Sequence, residues 1–178
     1  ISATDAAANT LTVNNSLTTN SGAITLSAKD DVIFGAAGSL ASNNGNIGVA
    51  ADSDGSGGAI SMTSGATINS GTGTITLSAD EDIALGALTT TNPTSTAVTV
   101  TSDSGSIMQA GEFLSITGGS SFSVGDNQNI TLDASSNVFT GTVTFTTGSG
   151  SNVTVVDTTA FDLVSLSANN LSVTAGGA

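Results

Sequence analysis

Aspartates recur in this sequence at fixed places. With Ile24, Ile47, Ile75 and Val98 as anchors, five residues later stand Lys29, Asp52, Asp80 and Asp103. Seven residues after the same anchors stand Asp31, Asp54, Asp82 and Gly105. If the segments carrying them stack at the strand spacing of about 4.8 Å, these carboxylates form a ladder. Like charges that close repel, and a hard cation with oxygen ligands relieves the repulsion. One chemistry open to Asp31, Asp52, Asp54, Asp80, Asp82 and Asp103 is therefore a row of Ca²⁺ sites, and Ca²⁺ is the only cofactor these residues point to. The other is architectural: Asp is a turn former, here with a solvated carboxylate. Lys29, beside Asp30 and Asp31, would neutralise one rung.

Catalysis finds little purchase. A hydrolase could use a carboxylate pair such as Asp80 and Asp82. A catalytic pair should occur once, however, and this pattern repeats. A lyase base of the Arg or Lys type has only Lys29 to draw on, and the sequence has no Arg, His or Cys. Ser/His/Asp and Cys nucleophile arrangements are thereby excluded. We expect no enzyme. The four Asn-x-Ser/Thr sequons, at Asn14, Asn129, Asn152 and Asn170, are near chance in a chain so rich in Asn and Thr.

The acids follow a repeated unit. Gly22-Ala-Ile-Thr-Leu-Ser-Ala-Lys-Asp-Asp31 returns as Gly73-Thr-Ile-Thr-Leu-Ser-Ala-Asp-Glu-Asp82, with weaker copies at 45–54 and 96–105. The anchors are spaced 23, 28 and 23 residues apart, a period characteristic of solenoids. Each copy alternates apolar and small polar residues, as in Ile75-Thr-Leu-Ser78, which gives a short strand with one buried face. One such strand cannot bury its face alone, whereas equivalent strands stacked from successive repeats build an apolar column.

A second strand follows each acidic turn, at Val32-Ile-Phe34, Ile83-Ala-Leu85 and Ile107-Met108. A third is expected near Ser39-Leu-Ala41, Ala66-Thr-Ile68 and Ala87-Leu-Thr89. Three strands per coil of about 20–25 residues make a parallel β-helix. The interval between the second and third anchors is expected to hold an extra strand at 59–62. Pro93 belongs in a turn. Beyond residue 110 the strand-like segments lie only about 8–14 residues apart, which also fits an antiparallel β-sandwich over 110–178. The same Ile-Thr-Leu core at 130–132 favours continuity, so residues 1–178 are read as one all-β domain.

Composition narrows the function classes. One Lys against fourteen acids leaves a net charge of −13. No basic patch can form, so nucleic acid is excluded as a partner, as is attraction to anionic membranes. No apolar run is long enough for a membrane-spanning helix. Charged residues are 8% of the chain, yet mean hydropathy is positive and the apolar residues are patterned, which argues against disorder. Near absence of Lys and Arg removes almost all trypsin sites, which suits an extracellular setting. The chain begins at Ile1, as a processed chain or a piece of a longer one would.

The Gly-x-Ile-Thr-Leu-Ser-Ala-x-x-Asp-Ile units, followed by Asp-Ile-Ala-Leu-Gly-Ala and Gly-Gly-Ala-Ile-Ser-Met, resemble the repeats of very large secreted bacterial surface proteins, the filamentous-haemagglutinin-like and autotransporter-type adhesins. The resemblance covers residues 20–135 best. It implies a right-handed parallel β-helix, export to the bacterial cell surface, and adhesion or matrix building, with surface glycans or other matrix proteins as partners. It carries over no catalytic residue.

The expected function is thus a structural, extracellular β-solenoid of a fibre, stalk or matrix. Neither end of the sequence shows an amphipathic helix or charge cluster to cover an open strand edge, so self-association into filaments is expected. The alternative is a binding module, either an adhesin or an ice-binding face built on Thr-x-Thr rows such as Thr10-Leu-Thr12, Thr74-Ile-Thr76, Thr99-Val-Thr101, Thr142-Val-Thr144 and Thr144-Phe-Thr146.

Overall fold

Alternating residues that are too short of apolar area to fold as isolated hairpins have one way to become buried, which is to wind into coils and stack. A computed structural model shows this arrangement; it describes residues 2–5, 10–52, 55 and 57–177. Three coils open the stack: β1 (Ser2–Asp5), β2 (Leu11–Val13) and β3 (Ser16–Thr19); β4 (Ile24–Ala28), β5 (Val32–Phe34) and β6 (Ser39–Ser42); β7 (Ile47–Ala50), β8 (Ile60–Met62) and β9 (Thr67–Asn69). Three more follow: β10 (Ile75–Ala79), β11 (Ile83–Leu85) and β12 (Ala87–Thr90); β13 (Val98–Ser102), β14 (Ile107–Gln109) and β15 (Leu114–Ile116); β16 (Ser120–Val124), β17 (Ile130–Leu132) and β18 (Val138–Phe139). The chain ends with β19 (Val143–Thr147), β20 (Asn152–Asp157), β21 (Leu163–Ser167) and β22 (Asn170–Ala175).

Each coil gives one strand to each of three sheets. The first sheet runs β1-β4-β7-β10-β13-β16-β19-β21, the second β2-β5-β8-β11-β14-β17-β20-β22, and the third β3-β6-β9-β12-β15-β18. Adjacent strands are parallel, and the described residues contain no helix. The protein is an all-β solenoid of about seven turns.

The register is the one the anchors imply. Ile75 pairs with Ile47 and Val98, and Leu77 with Val49 and Val100. These residues are fully buried or nearly so, while Thr76 and Ser78 between them point outward. Phe34, Met62 and Leu85 fill a column of the second sheet, and Leu40, Ile68 and Leu88 one of the third. The glycine opening each repeat sits where coils touch. A Cβ at Gly73 would collide with the carbonyl of Gly45, and one at Gly45 with that of Gly22.

Two expectations are corrected. Residues 110–178 are not an antiparallel sandwich: β16, β19 and β21 pair in parallel, as do β17, β20 and β22. The short spacing arises because successive strands lie on different sides of one coil, not because they pair as hairpins. Nor is Ile60–Met62 an extra strand. It is β8, the second-sheet strand of its coil, paired with Val32–Phe34 and Ile83–Ala84. The added length of that repeat lies in the turn between β7 and β8. Pro93 lies in the loop between β12 and β13, as expected.

The third sheet stops at β18, two coils before the others. Its last edge is closed by side chains. Buried Asn137 accepts hydrogen bonds from Gln109 Nε2 (2.8 Å) and Leu114 N (2.9 Å), and donates to Gln109 Oε1 (2.9 Å). Buried Asp157 accepts from Phe139 N at 3.2 Å. Beyond it Phe161 stacks on Phe145 and meets Phe139 edge-on.

Two substitutions test this packing. Ile75→Ala should lower stability in urea unfolding by about 2–5 kcal/mol, the range for truncating a buried aliphatic side chain, whereas Thr76→Ala should change it by less than about 0.5 kcal/mol. Ser120 holds a place in the Ile75 column, between Val98 and Val143. Its Oγ is buried and unpaired, so Ser120→Ala should stabilise by about 1 kcal/mol.

Candidate functional site

The acids expected to form a ladder do gather along one corner, where the first sheet turns into the second. Each turn here must satisfy backbone groups that no strand neighbour reaches, and the carboxylates serve that need. Asp31 Oδ1 accepts Ala59 N of the next coil at 3.0 Å. Asp82 Oδ1 accepts Ser106 N at 2.7 Å. Asp80 Oδ1 accepts Ser104 Oγ at 2.9 Å. Asp52, in a left-handed conformation (φ 65°) that Asp tolerates, accepts Gly57 N at 3.2 Å. Asp103 stands exposed at the same corner, and Asp54 lies outside the described residues.

The column extends past the acids. The residue just before each second-sheet strand is Asp31, Ala59, Asp82, Ser106, Asn129, Asn152 and Asn170 in turn. Ser106 Oγ accepts Asn129 N at 3.0 Å. Asn129 Oδ1 accepts Asn152 N (3.0 Å) and Asn152 Nδ2 (2.9 Å), and Asn170 Nδ2 donates to Asn152 Oδ1 at 2.7 Å. A side-chain oxygen on one coil thus repeatedly takes up an N–H of the next. Three of the four sequons are members of this column. Their signal in the sequence was position rather than motif: Asn129, Asn152 and Asn170 each directly precede an apolar strand.

Asp126 does the same one step earlier in its turn, accepting Ser149 N at 2.7 Å. Among the described residues no three Asp, Glu, His or Cys side chains lie together in a way that would hold a metal ion. Two concavities, one lined by Leu11–Asn15, Leu17 and Leu26, the other by Thr147–Gly150 and Ser167–Asn169, include no carboxylate. The Asp80/Asp82 pair therefore lies on a convex edge, with no cleft around it among these.

At the opposite corner Glu112 makes a longer reach. The coil between has only Gly86 between β11 and β12, so Glu112 spans it. Its Oε1 accepts Ser64 Oγ (2.7 Å) and Gly65 N (2.9 Å). The Ser64 hydroxyl chiefly, and then the Gly65 amide, hold the Glu112 carboxyl below its ordinary pKa.

The Thr-x-Thr triplets are divided by the fold. The outward rows of the first sheet read Thr25, Gly48, Thr76, Thr99, Ser121, Thr144, and Ser27, Ala50, Ser78, Thr101, Ser123, Thr146. Thr12 belongs to the second sheet, and Thr74 and Thr142 precede their strands. The face is flat and made of small side chains, with Gly48 and Ala50 interrupting its hydroxyls.

Residues 78–146 match a family model described as repeats of unknown function (DUF5649). The match runs from the end of β10 to β19, the part of the stack where the coil length is steadiest. No curated protein matches the chain. No solved structure matches it either.

The corner chemistry is open to test. Asp82→Ala should cost about 1 kcal/mol, the usual net value of one hydrogen bond, and Asp82→Asn, which keeps an acceptor for Ser106 N, less than half of that. Equal losses that appear only in calcium would instead assign the carboxylate to a cation. For Glu112 the folded pKa is depressed, so its contribution is present above the unfolded pKa and is lost as pH falls through the folded value. Glu112→Gln should accordingly melt below wild type at neutral pH by a small margin, the group being exposed, and the gap should close on acidification.

Proposed function

We propose that this chain is a non-enzymatic structural β-solenoid, exported to the bacterial cell surface and built into a fibre, stalk or matrix. The observation that carries the reading is the repetition of the corner bonds. Asp31, Asp82, Ser106, Asn129 and Asn152 play one role in successive coils. A repeated role suits a load-distributing stack, in which each coil contacts only its neighbours. The resemblance to filamentous-haemagglutinin-like and autotransporter-type repeats supports the location, and the scarcity of Lys and Arg suits survival among proteases. Surface glycans or other matrix proteins would meet the outward Ser and Thr of the first sheet. With Lys29 the only basic side chain, nucleic acid and anionic membrane remain poor partners.

A second reading has its own observation. The flat outward face of the first sheet repeats hydroxyls at strand spacing, the arrangement an ice-binding surface or adhesin would use. Measurable thermal hysteresis at micromolar protein, abolished by Thr99→Leu, would favour it. For the structural reading, immunogold electron microscopy on the producing cells with antibody to this chain should place label outside the envelope, along fibres or matrix. Label confined to the cytoplasm would overturn it.

A further inference from the structure

The last coil ends with interior positions that are only half covered. Val173 pairs with Val155, yet Val155 is 1% exposed and Val173 40%. Leu166 pairs with Phe145 and is 39% exposed. In every earlier coil these columns are closed by the next coil. At the other end of the stack, Leu11 and Val13 of β2 occupy the same two columns of the second sheet, and a cavity of about 330 Å³ opens beside them, reaching Leu17 and Leu26. The two edges also match in sequence: Thr10-Leu-Thr-Val13 and Asn170-Leu-Ser-Val173.

Their polar groups are complementary as well. Along the corner column the side-chain oxygen of one coil accepts the N–H of the next, from Asp82 to Ser106 and from Asn129 to Asn152. Asn170 ends that column as a side-chain acceptor, and Thr10 begins it with a backbone N–H. Edge strands with unpaired backbone groups are templates for another strand.

We propose that β22 of one copy adds in parallel to β2 of a second copy, setting Leu171 on Leu11, Val173 on Val13 and Asn170 Oδ1 on Thr10 N–H. The pairing continues the coil-to-coil interface already present seven times in the second sheet. It rests on the structural reading above and names its partner as the chain itself. The contact is head to tail, so it propagates rather than closes. The net charge of −13 opposes it, so added salt should strengthen it.

The chain lacks cysteine, which permits a clean test. Thr12→Cys and Ser172→Cys place thiols on outward positions of the two edge strands. Within one chain they lie seven strand spacings apart, on the order of 30 Å, too far to join. Between paired copies they lie one spacing apart. Mild oxidation of the double variant should give a ladder of disulfide-linked multimers on a non-reducing gel, more abundant in high salt. A pair of Thr12→Cys with Val164→Cys should not, since Val164 is on the other sheet. Circular dichroism confirms that each variant is folded. Wild-type chain should sediment with a mass that rises from micromolar to millimolar concentration, and Val173→Asp should hold it at the monomer. A wild-type monomer throughout, or a ladder no stronger than that of the Val164 control, overturns the pairing while leaving the structural reading and its location test intact.

Discussion

Every coil of this protein depends on the coil beside it for the partners of its backbone. A parallel strand has no hairpin neighbour, so its N–H and C=O groups must be met by the previous and following turns. Strands of three to six residues cannot bury enough apolar area to stand alone, and the stack supplies both needs together. The requirement fixes the register: a one-residue slip would turn Ile75 and Leu77 outward and Thr76 and Ser78 inward. It also fixes the corners, where turn residues leave the ladder and their polar groups need other partners.

The acidic corner is best understood through that need. Asp31, Asp82 and Asp126 sit close to one another along the axis, in a protein with one basic side chain to offset fourteen acids. Their repulsion is a cost that charge-assisted bonds to backbone amides offset. Where the turn changes, Ser106, Asn129, Asn152 and Asn170 take the place of the acids, supplying an acceptor without the charge. The third sheet shows the same logic at its end. Once the strand is lost after β18, Asn137, Gln109 and Asp157 bring side-chain donors and acceptors to backbone groups that a strand would have met.

Much of the architecture was legible because the repeat and the period-2 pattern both come from the buried face. Ile24, Ile47, Ile75 and Val98 align by eye, and the structure pairs them. Beyond residue 110 that signal fades for identifiable reasons. Ser120 interrupts an aliphatic column, Gln109 enters an apolar one opposite Leu85, and a register shift after Val143 leaves Val164 64% exposed. The acids could be placed on one corner from their spacing. Their hydrogen-bond partners could not, because amides such as Ser106 N and Ser149 N carry no mark in the sequence. The asparagine column was hidden behind its coincidence with a glycosylation motif.

The central claim is that one continuous stack holds its turns by bonds from coil to coil. Residue-resolved amide hydrogen exchange measures those bonds directly. Protection should be highest in the middle coils, from β10 to β17, and fall toward both ends without a step near residue 110. The turn amides of Ala59, Ser106 and Ser149 should exchange as slowly as the strand amides beside them. Exchange of those three at open-loop rates, or two separate plateaus of protection meeting near residue 110, would contradict the account.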